Sequence, residues 1–252
     1  MKLTPRDLDI IRTIFEVQFL TIDQITRLFF CSPKTCRNRL LFLRRAGWLE
    51  EERPRRFAAP HFSILKLGKM SFKHFRYPSS KAASTQYLEH RLELNDLYVH
   101  LRSKGVLADL NLCWQDGANF IIPYEKTHFR PDARMIGKSD NMIYLEYDRG
   151  TKNLPIIQEN LSKYLEWFDE KERRAGITKM HLIYVTPKNS RALAIQRQFE
   201  AVLLKQNRMV SQHFLFHSFT TETFLEQSKM ILSLGQLPLV TGCYRQNNQM
   251  LF

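Results

Sequence analysis

The chain has 252 residues with a net charge of +13 and 44% hydrophobic content. That length suits one large domain or two small ones with a real core, and no apolar run reaches the length of a membrane span or of a signal peptide's apolar segment. The charge is uneven: residues 1–80 hold 16 Lys+Arg against 7 Asp+Glu, and the remainder 22 against 18. A basic N-terminal third attracts polyanions, nucleic acid first. The positives do not line one amphipathic helix, which argues against a membrane surface. A cytoplasmic protein is expected. The four cysteines do not complete a zinc pattern, although Cys31 and Cys36 lie close together.

Three helix starts come first. Thr4-Pro5-Arg6-Asp7 offers a cap, a first-turn proline and an acid at the positive helix end, with Leu8, Ile11 and Phe15 as the inward stripe. Thr21-Ile22-Asp23-Gln24 reads as a capping box opening a short helix, with Ile25 and Leu28 inward. Ser32-Pro33 opens a third helix that stops at Gly47. On it Cys36, Leu40 and Leu43 share one side; Lys34, Asn38 and Arg45 lie opposite, flanked by Arg37 and Arg44. A strand, a loop carrying Arg53, Arg55 and Arg56, and a second strand follow. This is the order of a winged helix-turn-helix. Lys34, Arg37, Asn38 and Arg45 would enter the major groove, where Asn and Arg match base edges. The loop arginines would neutralise phosphates or enter the minor groove. Residues 76–84, polar and small, are the expected linker between a domain at 1–75 and another at 85–252.

The second part reads helix, strands at "ADLNLCW", "FRPDARMI" and "MIYLEYDR", helix at about 155–174, a central strand "MHLIYVTP", helix "RALAIQRQFEAVLLKQ", then strand "HFLFHSF" and a helix. A strand–helix–strand crossover makes the sheet mixed and the class α/β (α+β). A turn at 137–141 pairs Ile136 with Met142. Asp132 then falls opposite Glu146 and Arg130 opposite Asp148, so Asp132, Glu146 and Asp148 share a face. Like charges opposite one another need compensation. A divalent cation could supply it; so could Arg130, Arg134 and Arg149 in an ionic ladder.

"LTPRDLDIIRTIFEVQFLTIDQITRLFF", "HRLELNDLYVHL", "RPDARM" and "LEYDRGT" together resemble the replication-relaxation family of plasmids and other mobile elements, over roughly residues 3–190. The second part also resembles the PD-(D/E)xK nuclease fold. The resemblance implies an N-terminal winged helix and a mixed-sheet nuclease-like domain. It implies Asp132 and Glu146 as metal-binding acids and Glu93 as the helix acid of some members. The lysine position holds Asp148, with Lys152 four residues further on; Asn160 and Tyr164 match a polar pair loosely. Asp132, Glu146, Asp148 and Lys152 would be the catalytic set, with Mg or Mn as the cofactor if cutting occurs and none otherwise. The expected function is double-stranded DNA binding in replication, transfer or its regulation. The alternatives are a metal-dependent endonuclease and a protein-interaction adaptor. Partners would be DNA, replication or conjugation proteins, or a second copy of the chain.

Overall fold

The structure, a computed structural model, describes residues 2–53, 63–76, 88–124, 127–137, 142–175, 179–207 and 213–234. The expected linker at 76–84 therefore falls almost wholly outside the described residues. The chain begins with α1 (Pro5–Val17), β1 (Leu20–Thr21), α2 (Ile22–Phe29), α3 (Pro33–Arg45), β2 (Leu49–Glu52), β3 (Ile64–Leu67) and α4 (Lys69–Phe75). The expected capping box forms at Thr21, and the expected cap at Thr4 proves to be a second one. Thr4 and Asp7 exchange backbone bonds at the start of α1, as Thr21 and Gln24 do at α2. Ser32 caps α3, and Gly47, at φ +74°, takes the left-handed turn that ends it. The three short strands form one antiparallel sheet in the order β1-β3-β2.

The face of α1 turns from the expected stripe. Ile10, Ile11, Ile14 and Val17 are buried, while Leu8 and Phe15 are only partly covered. Asp7 is the reason: its carboxylate is fully buried against Arg39 of α3, which rotates the helix toward that partner. Helix α4 was not anticipated. Gly68 starts it where a Cβ would lie 2.3 Å from the Gly47 carbonyl oxygen, so the two glycines pack backbone on backbone.

After the segment 77–87 come α5 (Leu88–Ser103), α6 (Val106–Asp109), β4 (Cys113–Asp116), β5 (Ile122–Tyr124), β6 (Thr127–Phe129), β7 (Ala133–Ile136), β8 (Met142–Tyr147), α7 (Leu154–Ala175), β9 (Met180–Thr186), α8 (Asn189–Lys205), β10 (Phe214–Thr220) and α9 (Thr221–Leu234). The five-stranded sheet runs β10-β9-β8-β7-β4. β8, β9 and β10 are parallel, β7 and β4 antiparallel, so the architecture is mixed α/β. Two expected strands are shorter than their patterns. "ADLNLCW" yields strand only from Cys113, because Ala108 and Asp109 close α6. "FRPDARMI" breaks at Pro131: Phe129 ends β6, which pairs with β5 in a separate ribbon, and β7 starts at Ala133.

Strand alternation divides the core between the two faces of the sheet. Ala133, Met135, Ile143, Leu145, Tyr147, Ile183 and Val185 join Leu94, Leu97 and Phe224 and, without a break, Ile10, Ile14, Leu40 and Leu43 of the N-terminal helices. Tyr144, Leu182, Tyr184, Phe214 and Phe216 pack under α7 and α8 with Leu161, Tyr164, Phe168, Ile195 and Phe199. On α7 it is Ile157 that is buried, and the expected Ile156 is exposed. Polar contacts reinforce the first core: Asn95 donates to the Phe19 carbonyl at 2.7 Å, Gln24 to the Leu92 carbonyl at 3.2 Å, and Tyr98 to Glu16 at 2.9 Å.

Candidate functional site

Two groups of residues stand out, one on α3 and one at the end of β8. On α3, Cys36, Leu40 and Leu43 anchor the helix in the core. Lys34, Arg37, Asn38 and Arg45 are exposed on the remaining surface. Arg39 and Arg44 belong to the fold: Arg39 binds Asp7, and Arg44 binds Glu51 of β2 at 2.5 Å. Of the loop arginines, Arg53 is exposed and lies 3.8 Å from Glu51, while Arg55 and Arg56 lie outside the described residues.

The acidic group is positioned by the β7–β8 hairpin. Ile136 pairs with Met142 and Ala133 with Leu145. Asp132 and Glu146 are the next pair in that register, just beyond the start of β7 and within β8. Gly117 fixes the approach to Asp132. Its N–H donates to the Asp132 carbonyl at 2.8 Å, and a Cβ there would lie 1.8 Å from the Pro131 carbonyl oxygen. The Asp132 carboxylate takes one bond from the Tyr147 N–H at 2.8 Å and one from His90 Nε2 at 2.9 Å. Glu146 is almost fully buried. It accepts from the Tyr164 hydroxyl at 2.6 Å, and Lys152 Nζ lies 3.7 Å from its other oxygen.

Burial and the neighbouring Asp132 push the Glu146 carboxyl up to about 7, against a smaller pull from Lys152. Asp132 moves the other way. Burial would raise it, but His90, Lys152 and the Tyr147 N–H together hold it below the ordinary carboxylate range. Lys152 is raised, first by Glu146. Two like acids separated in this manner form a pair with one ionised member and one member able to exchange a proton near neutrality.

Asp148 shares the face but is committed elsewhere: Arg191 of α8 donates to it at 2.6 Å. Glu93 does not join the group. It faces Arg149 at 3.0 Å and Tyr147, whose side chain leaves β8 on the side opposite Glu146. The ionic ladder also differs from expectation. Arg149 binds Glu89 and Glu93, Arg134 binds Gln115, and Arg130 is exposed. His90, Tyr164, Lys152 and Arg191 hold the acids instead. Of these, His90 and Arg191 went unread. Each reaches the acids from another element, α5 or α8, and no local spacing marks it.

Among the described residues no group of three or more His, Cys, Asp or Glu side chains is placed to hold a metal ion. Asp132 and Glu146 offer two carboxylates, a donor set suited to a hard cation that keeps water or phosphate on its other positions. Buried oxygens without a protein partner lie on the same side of the sheet, at Asp148 Oδ1, Tyr184 and Thr186. No described helix is long and apolar enough to cross a membrane.

No curated protein and no solved structure matches the chain. A family model does: replication-relaxation, over residues 11–180, a span that runs from α1 to the first residue of β9 and takes in α3, the hairpin acids and Lys152. With that match covering most of its length, the chain belongs to the replication-relaxation family.

Proposed function

We propose that the chain is a double-stranded DNA-binding protein acting in the replication or transfer of a plasmid or other mobile element, or in the regulation of these. Family membership suggests that setting. In this reading residues 1–75 are a winged helix-turn-helix and residues 85–252 a nuclease-like α/β domain. The observation that carries it is the surface of α3. Lys34, Arg37, Asn38 and Arg45 are presented to solvent together, while the other α3 arginines that the fold needs are already paired. A helix anchored by one face and cationic on the other suits a major groove. The test is a titration of element DNA across salt concentrations. Replacing Lys34 and Arg37 by Ala should lower the slope of log K against log salt by about 0.9 for each phosphate no longer neutralised. An unchanged slope would remove α3 from the interface. Asn38→Ala should change preference among sequences by about 1–3 kcal/mol.

A second reading, a metal-dependent endonuclease, is favoured by one observation: Lys152 returns to within 3.7 Å of Glu146. Asp132 and Glu146 would hold Mg or Mn. The bound ion would supply an activated water and a counter-charge for the phosphoryl oxygens. His90 and the Tyr147 N–H orient Asp132; Tyr164 orients Glu146; Lys152 adds a fixed positive charge beside them. Incubation of element DNA with Mg or Mn should give cleavage that Asp132→Ala abolishes. Tight binding without cleavage in either metal would leave a domain that serves binding alone.

A further inference from the structure

We propose that Arg191 is the positioning residue that folds Lys152 back onto the carboxylates. The use made of the returned amine rests on the endonuclease reading; the positioning itself does not. Lys152 lies past the end of β8, on the connection to α7, where Gly150 turns the chain at φ +82° with nothing within 4 Å of an added Cβ. Gly150 adds no packing there, and Arg149 beside it is drawn the other way, to Glu89 and Glu93 of α5, so neither aims the Lys152 side chain at Glu146.

Arg191, in the first turn of α8, supplies what the loop lacks. Its Nε donates to Asp148 Oδ2 at 2.6 Å, and a terminal nitrogen of the same guanidinium donates to the Lys152 carbonyl. The rigid planar fork therefore holds both ends of the 148–152 segment on one helix. The start of the segment is also tied to β9, because the Asp148 N–H donates to the Val185 carbonyl at 2.8 Å. With its own carbonyl pinned, Lys152 extends back along β8 to Glu146. Asp148 and Lys152 thus divide a task between them. The buried Asp148 anchors the clamp, and Lys152 brings the charge to Asp132 and Glu146. Replacing the arginine with lysine keeps a charge against Asp148, but a single ammonium lacks the fork that spans both acceptors.

The test is zero-length crosslinking of the full chain with a water-soluble carbodiimide, which joins an amine to a carboxylate that it touches and leaves as its urea. Peptide mass spectrometry reads the Lys152–Glu146 amide. The exposed Lys229–Asp109 pair, which joins α9 to α6 at 2.7 Å, is the internal standard for an intact fold. The amide should form in the unaltered chain and fall by about tenfold in Arg191→Ala, as the amine moves away from the carboxylate. It should fall in Arg191→Lys too, a variant that keeps Asp148 neutralised and so keeps the fold. An unchanged yield in Arg191→Lys, with the standard intact, overturns the proposal. So does coupling of Glu146 in the unaltered chain to an added small amine, glycine ethyl ester, in place of Lys152. DNA cleavage is scored separately. An amide that depends on Arg191 in a protein that cuts nothing would retain the clamp and dismiss the endonuclease.

Discussion

Asp7 and Glu146 are both buried acids, and their neighbours give them opposite behaviour. Asp7 is fully buried, yet its carboxyl lies below the ordinary range: burial would raise it, but Arg39 and Thr4 outweigh burial. Removing the guanidinium strands the charge. Arg39→Ala should cost about 3 kcal/mol in urea denaturation, at the low end for a broken buried pair, because Arg39 is partly exposed and Thr4 still donates. Glu146, raised from 4.5 to about 7, binds its proton more tightly folded than unfolded. Stability therefore falls as pH rises through that window, and above about 7 the cost of the buried charge is fully present. Glu146→Gln keeps an oxygen for Tyr164 and carries no charge. It should equal the unaltered protein near pH 4.5 and gain on it up to about pH 7, by no more than about 1.4 kcal/mol per pH unit. Denaturant midpoints measured across pH would reveal a parallel dependence if the assignment is wrong. Asp132 has the reverse sign. Its contribution is present above 3.8 and is lost as pH falls through its depressed folded value, below the Glu146 window.

The elements with strong local signals were legible in the sequence. Thr4, Thr21 and Ser32 each cap a helix where the residue pattern places one, and Gly47 ends α3. Thr21→Ala should cost about 1 kcal/mol by thermal melting. The hairpin register was legible too, because turn length and the period of two fix it together. What escaped was decided across the chain. Leu8 and Phe15 look like the inner stripe of α1 until Arg39, 32 residues later, draws Asp7 inward. Phe129 reads as part of the strand carrying Asp132 until Pro131 divides them. The arginines near the acids in sequence have other partners; the side chains that hold the acids in space are His90 of α5, Tyr164 of α7, Arg191 of α8 and Lys152 of the loop after β8.

At the scale of the molecule, the apolar core that begins at Ile10 continues to Ile231 without a break. Asn95, buried on α5, satisfies the backbone carbonyl at the turn from α1 into β1. Among the described residues, the core of the N-terminal helices thus runs on into the second half. Urea unfolding followed by the fluorescence of Trp48, beside α4, and of Trp114, in β4, should give coincident transitions when each is left as the probe. Two separated midpoints would mean that the halves melt independently.

That shared core also sets a schedule for biosynthesis. Val17 and Asn95 are 78 positions apart, and Glu16 meets Asn119 across 103. At about 5–20 residues per second, the ribosome releases the second partner of each pair roughly 4–20 s after the first. Through that interval the part of α1 and α2 that α5 and β4 cover waits exposed outside the exit tunnel, so a nascent chain stalled between the two halves would be a ready client for chaperones.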